Sequence, residues 1–165
     1  MTVAVSAGIL EDKIRSRRAR VGIVGMGYVG LPLAVEFAKA GFRVTGIDVN
    51  SQKTERLNAG DSYVGDVPSE VLAPLVKEGK LRATTDFGVV NELDTINICV
   101  PTPLRKTKDP DMSYIVSSCQ EIARRLHAGM LLILESTTKP SNGILGILSI
   151  QLEQFSSNPA GGRDP

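Results

Sequence analysis

Cysteine is scarce in this chain of 165 residues, with Cys99 and Cys119 its only two. They stand far apart, in stretches read as a strand and a helix, which excludes a disulfide framework and any metal-ligand spacing. Both are read as buried apolar thiols in a reducing, cytoplasmic protein that holds no metal. Charge of either sign is not in excess: 19 basic and 18 acidic residues leave a net +1. That balance argues against nucleic acid or a membrane surface as partner. Its one local departure is "KIRSRRAR" (13–20), read as a solvated first helix or arm. Long hydrophobic runs are missing too. No stretch nears the ~18 apolar residues of a membrane span, and Glu11, Asp12 and Lys13 interrupt the apolar N-terminal residues before they could form a leader. There is no internal repeat.

What is present is alternation. Short apolar runs at 20–24, 42–48, 81–85, 95–100 and 130–136 are separated by helical patterns at 29–40, 50–60, 69–77 and 112–127. Strands alternating with helices predict βαβ units and a parallel sheet. The expected fold is α/β, a Rossmann-like doubly wound parallel sheet of five strands ordered 3-2-1-4-5. The domain assignment is an N-terminal basic arm or helix (1–19), one nucleotide-binding domain (20–155) and a disordered tail (156–165). Beyond Pro140 a last helix is expected from Ile144, Ile147, Leu148, Leu152 and Phe155, weakened by Gly143 and Gly146. The lone histidine, His127, falls at the C-terminal end of the 112–127 helix beside Arg124 and Arg125. It suits the helix macrodipole there and is read as a surface residue, not a general base.

Between the first strand and the first helix of this alternation stands Gly25-Met26-Gly27-Tyr28-Val29-Gly30, a G-x-G-x-x-G string. Gly25 permits the tight turn out of the strand. Gly27, with no Cβ, allows close approach of a pyrophosphate, and Gly30 lets the helix pack tightly on the sheet. The N–H groups and dipole at the helix start then face the phosphates. The same fingerprint asks for an acidic residue at the end of the second strand. Asp48 is there, 18 residues beyond Gly30, able to accept hydrogen bonds from the adenosine ribose hydroxyls. A carboxylate in that place repels the 2′-phosphate of NADP, and no arginine follows it in 49–52, so the cofactor is NAD. A methyltransferase loop would carry an acidic residue just before the glycines, where this chain has Val24. A free-standing NAD-binding or sensing module without catalysis needs only the fingerprint, and remains the alternative at this point.

Further along, "VPTP" (100–103), "DPDMSY" (109–114) and "LESTTKP" (134–140), together with "GYVGLPLA" and "NSQKTERLNAG", resemble the UDP-glucose/GDP-mannose dehydrogenase family. With "SYVGDVPSE" (62–70) they are most similar to the branch that oxidises UDP-N-acetylhexosamines (UDP-GlcNAc, UDP-ManNAc) for surface polysaccharides. The likeness runs from about Arg20 to Thr138. It implies an NAD-dependent oxidation of C6 of a nucleotide sugar from alcohol to acid. It also implies Tyr28 and Val29 in the pyrophosphate turn, Asp48 on the adenosine ribose and Lys53 beside it. Thr102 and Thr137 fall along the nicotinamide half, with Thr137 placed to orient a water.

The departures from the family matter as much. After Thr138 the P-G-T-T helix start is replaced by Pro140-Ser141-Asn142-Gly143. A sixth strand, the sugar-nucleotide domain and the catalytic Lys and Cys have no counterpart. That Cys holds the aldehyde oxidation state as a thiohemiacetal and thioester between two hydride transfers. Neither Cys99 nor Cys119 is placed to replace it, so no catalytic residue is assigned. The expectation is an NAD-binding domain of a nucleotide-sugar 6-dehydrogenase that is inactive alone. It would meet a nucleotide-sugar substrate only if the missing domain is supplied, and would self-associate through an apolar edge beside strand five.

Overall fold

Five parallel strands carry the chain. The computed structural model describes residues 2–106 and 110–135, with side chains from residue 8 onward. The strands are β1 (Arg20–Val24), β2 (Arg43–Ile47), β3 (Leu81–Thr84), β4 (Thr95–Ile98) and β5 (Leu131–Leu134), in the expected order β3-β2-β1-β4-β5. Register is set by pairs such as Val24↔Ile47 and Val24↔Ile98. β4 is buried along its whole length, as a central parallel strand must be.

Side-chain alternation divides the core into two layers. Val21, Ile23, Val44, Leu81 and Ala83 pack under helices α2 (Gly30–Lys39), α3 (Ser51–Asn58) and α4 (Ser69–Lys77). Val24, Ile47, Ile96 and Ile98 face the other way. They meet Val90 of a short 3-10 turn (Phe87–Glu92), and Ile115, Cys119 and Ile122 of α5 (Ser113–Ala123). The two faces are filled by chain running in opposite directions from β1: outward to β2 and β3, then back across to β4 and β5. The loops leaving β1 and β4 therefore diverge, opening a crevice at the carboxyl ends of the strands.

Local signals explain the element ends. The turn after α2 closes at Gly41, whose φ of +96° suits glycine. α3 begins at Asn50, whose side chain accepts from the N–H groups of Gln52 and Lys53. α5 stops at Ala123, four residues short of the expected His127. The chain tightens there, with the N–H of Arg125 donating to Ile122 O and that of Leu126 to Ala123 O. His127 then hydrogen-bonds the Leu93 carbonyl oxygen through Nε2 at 3.0 Å, so it belongs to the amino end of the sheet, away from the crevice.

The N-terminal residues form a helix, α1 (Thr2–Arg15), which takes in only the first three residues of the basic stretch; 16–19 turn and lead straight into β1 at Arg20. Ile14 packs against the first core layer, and Lys13 Nζ reaches Asp94 Oδ1 at 2.6 Å. The expected helix after Pro140, Thr137 and the tail all lie outside the described residues.

Candidate functional site

A cleft of about 470 Å³ opens at the carboxyl ends of β1, β2 and β4. Its floor is the glycine turn. Gly25 leaves β1 at φ +91°, and its N–H donates to Ile47 O at 2.8 Å. A Cβ at Gly30 would overlap the Gly25 carbonyl oxygen, so the start of α2 lies directly against the end of β1. At Gly27 the opposite holds: an added Cβ would meet nothing within 4 Å. The chain itself does not require glycine at 27, and the free face of that residue belongs to the cleft.

Tyr28 and Val29 stand up from the turn, 82% and 56% exposed. No side chain caps α2, whose preceding residue Val29 makes no capping hydrogen bond. α3, the next helix, is capped by Asn50. An uncapped helix start aimed into a cleft is a place for an anion, since its N–H groups and partial positive charge converge there.

Asp48 closes one end. It is 9% exposed, and its carboxylate is already engaged: Oδ2 accepts from the Met26 N–H at 2.8 Å and Oδ1 from the Asn50 N–H at 3.0 Å. Lys53 Nζ lies 3.6 Å from Oδ2. A carboxylate has roughly four acceptor sites, so one remains for a ribose hydroxyl. Asp48 therefore also ties β2 to the glycine turn. Met26 works from below. Its side chain is fully buried against Gly46, where a Cβ would approach its sulfur at 2.6 Å. Met26 and Gly30 thus shape the turn from beneath, while Gly25, Gly27, Tyr28, Val29, Asp48, Lys53 and Thr102 line the cleft.

Six lining residues carry no assignment from the sequence: Tyr63, Val64, Cys99, Val100, Pro101 and Glu135. Tyr63, in the irregular 61–68 connection, donates its hydroxyl to Met26 O at 2.8 Å. Lys53 and Arg56 lie near its ring, at 6.0 and 5.6 Å from the centroid. Burial and the Asp48 charge push its phenol up to about 12, so it stays a donor. Cys99, expected inside a strand, lies just past β4 and lines the cleft. Its thiol is pushed up to about 11 by burial and by the Glu135 charge, and burial also raises Cys119. Burial thus disfavours the thiolate, the form that attacks, at both positions. Glu135 follows β5 and forms the far wall with Thr102. In the sequence it stands within the "LESTTKP" motif, where a lone acidic residue carries no signal of its own. Tyr63 did carry one, as an aromatic inside "SYVGDVPSE".

These residues suit a dinucleotide. The cleft provides a carboxylate at one end, a glycine with open space beneath an uncapped helix at its centre, and Thr102 at the other end. Among the described residues no group of His, Cys, Asp and Glu could hold a metal ion.

Comparison with known proteins shows the family and the fold. The family described as the UDP-glucose/GDP-mannose dehydrogenase family, NAD binding domain, matches residues 19–154. The UDP-N-acetyl-D-mannosamine dehydrogenase of Salmonella typhi is 38% identical over 119 residues, covering 72% of this chain and 28% of that protein. Among solved structures, the NDP-N-acetyl-D-galactosaminuronic acid dehydrogenase of Methanosarcina mazei superposes with a TM-score of 0.77 at 36% identity, covering 92% of this chain and 34% of that one. A ternary complex of GDP-mannose dehydrogenase from Pseudomonas aeruginosa gives 0.76 at 32% identity, covering 84% and 33%. The chain thus spans about a third or less of the length of these relatives.

Proposed function

Because the chain belongs to the UDP-glucose/GDP-mannose dehydrogenase family and carries its NAD-binding domain, we propose that it serves as the cofactor half of a nucleotide-sugar 6-dehydrogenase acting on a UDP-N-acetylhexosamine. The observation that carries the reading is the pairing of an unobstructed Gly27 with an uncapped α2, within the reach of Asp48. The pyrophosphate lies over Gly27, Tyr28 and Val29. The adenosine ribose meets Asp48 and Lys53, and the nicotinamide half runs toward Thr102. Thr137 is assigned to that same half, although it lies outside the described residues. When bound, NAD accepts the hydride that leaves C6 of the sugar. The work of these residues is to hold that acceptor at the carboxyl edge of the sheet, with its reactive end at the β4–β5 side.

The chemistry of the sugar needs more than these residues supply. Oxidation to the acid calls for a nucleophile to hold the aldehyde level, and both thiols here are buried, Cys99 being raised to about 11. That observation favours a second reading of the chain on its own: an NAD-binding module without turnover. A complementing polypeptide that supplies the nucleophile and the sugar pocket restores the first. The setting we infer is cytoplasmic, supported by two free cysteines. No described helix is long and apolar enough to cross a membrane. Nucleic acid is no part of the reading, and self-association through the β5 edge belongs to it as a further expectation.

The test is titration with NAD, NADP and UDP-sugars, followed by NADH production with UDP-GlcNAc, UDP-ManNAc and UDP-glucose. NAD binding without turnover is expected. Positioning of reactants contributes about 7–11 kcal/mol to such a barrier, and its loss removes rate by many orders of magnitude. Sustained turnover by the purified chain, surviving replacement of Cys99 and Cys119, would overturn the assignment of no catalytic residue.

A further inference from the structure

Three charged side chains line the cleft among the described residues: Asp48, Lys53 and Glu135. Two of them answer each other, since Lys53 Nζ lies 3.6 Å from Asp48 Oδ2. Both stand at the β2 end. Glu135 stands at the other, immediately past β5, with its N–H held by the Ile98 carbonyl at 3.0 Å. Its side chain is exposed to the cleft and pairs with no cation among the described residues. The walls near it, Cys99, Val100 and Pro101, carry no charge of their own. Among the described residues the cleft is therefore electrically lopsided, with a compensated pair at one end and a carboxylate that meets no cation at the other.

A dinucleotide laid across this cleft presents different charges to the two ends. Its adenosine and pyrophosphate are the same in the oxidised and reduced forms. The nicotinamide ring carries a positive charge when oxidised and none when reduced. Whatever Asp48, Lys53 and the α2 start contribute is thus common to both forms. A charge at the β4–β5 end is felt differently by the two.

We propose that Glu135 makes this cleft selective for the oxidised cofactor over the reduced one, by placing a carboxylate with no cation partner among the described residues beside the nicotinamide end. The inference rests on the reading of the cleft as an NAD site and adds to it a direction of use. A site so charged takes up NAD+ and favours release of NADH, which suits an oxidation in which fresh oxidised cofactor is needed for each of two hydrides. Glu135 acts on affinity only; it moves no proton and forms no bond.

The experiment is calorimetric titration of the full chain, with no sugar present, using NAD+ and NADH separately. The unaltered protein is compared with Glu135→Gln and Glu135→Lys. Coulomb attraction across several ångströms of partly screened cleft predicts that Glu135→Gln weakens NAD+ relative to NADH by roughly 3- to 10-fold, and Glu135→Lys by more. In 1 M salt the difference between the two forms should shrink. An unchanged NAD+/NADH ratio in both variants overturns the proposal. So does an equal loss for both forms, which would make Glu135 a structural residue. If neither form binds the unaltered chain, the NAD reading itself fails and this inference falls with it. Binding of both forms with a fixed ratio refutes only the role of Glu135.

Discussion

The β1–β2–β3 half of the molecule and the β4–β5 half build the same cleft by different means. On the first side everything is cross-tied. Asp48 accepts from the Met26 and Asn50 N–H groups, Tyr63 donates to the Met26 carbonyl, and β1 and β2 are buried past their first residues. On the second side β4 is buried throughout, yet β5 is only half-buried, with Leu131 40% exposed. The cleft wall there comes from residues just beyond the strand ends, Val100 to Thr102 and Glu135. One half is shaped before any ligand arrives, and the other offers a surface to build against. On the reading proposed above, affinity for the parts of a dinucleotide that never react falls to the first half, and discrimination at the reacting end to the second.

The largest expected effect tests whether the shaped half separates binding from folding. Gly27→Val should abolish NAD binding while the melting temperature stays within a few degrees, because the new side chain meets cleft and not core. Gly30→Val should instead unfold or severely destabilise the domain, since even its Cβ overlaps the Gly25 carbonyl oxygen. Circular dichroism and calorimetry on the two variants suffice. If Gly27→Val melts like Gly30→Val, the two glycines share one structural role and the comparison collapses.

Asp48 comes next, because it is a tie between β2 and the glycine turn and the proposed ligand of the ribose. Asp48→Asn keeps an acceptor for the Met26 N–H but drops the charge. Charged hydrogen bonds exceed neutral ones by roughly 1–1.5 kcal/mol, so NAD should weaken by about 5- to 15-fold. The preference for NAD over NADP should narrow as well, since Lys53 would lose the carboxylate 3.6 Å away and be left to meet a 2′-phosphate. Asp48→Ala should also lower the melting temperature by leaving the two backbone donors unpaired. Titrations with both cofactors separate these outcomes, and an NADP affinity indifferent to either change would remove Asp48 from the ribose.

A smaller effect is expected at Tyr63. Loss of its 2.8 Å hydrogen bond to the Met26 carbonyl in Tyr63→Phe should relax the glycine turn. A single bond of this kind is worth about 0.5–1.5 kcal/mol, so NAD affinity should fall roughly 2- to 10-fold. A lowered melting temperature with unchanged NAD affinity would make Tyr63 a brace of the fold and no part of the site.

The sequence was legible where side chains carry the signal and obscure where the backbone does. Strand order followed from alternating patterns, and the glycine string with Asp48 marked the end of the sheet where the cleft opens. Nothing in the residue types could show that the Met26 N–H is the partner of Asp48, since any residue but proline at 26 offers one. Tyr63 acts across 37 positions from an irregular connection, where neither periodicity nor a cap announces it. The end of α5 was placed four residues late, because Arg124, Arg125 and His127 suit a helix terminus in general. The tightening after Ala123, and the Leu93 carbonyl that meets His127, are tertiary facts.

The smallest effect concerns the seam that joins the two halves at the amino edge of the sheet. Asp94 sits there, between α1, β1 and β5. Its N–H donates to Arg20 O, its carbonyl accepts from the Leu131 N–H, and its carboxylate accepts from Arg20 N and Lys13 Nζ at 2.8 and 2.6 Å. Burial alone would raise this carboxyl, but the Arg20 N–H and the Lys13 ammonium hold it below its ordinary 3.8. A carboxyl whose folded pKa is depressed stabilises the fold while ionised. That contribution is complete above the ordinary value and is lost as pH falls through the lower, folded one. Asp94→Asn should therefore cost about 1–2 kcal/mol at neutral pH, the part-exposed Lys13 counting for little and the backbone bond for most. The gap between the two melting curves should be constant from pH 7 to about 5 and close progressively below 3.8. Cofactor affinity should be untouched at pH 7, because the seam lies at the opposite end of the strands from the cleft. A variant that loses NAD affinity along with stability would show that the two halves of the cleft depend on this seam for their alignment, and that neither is shaped independently of the other.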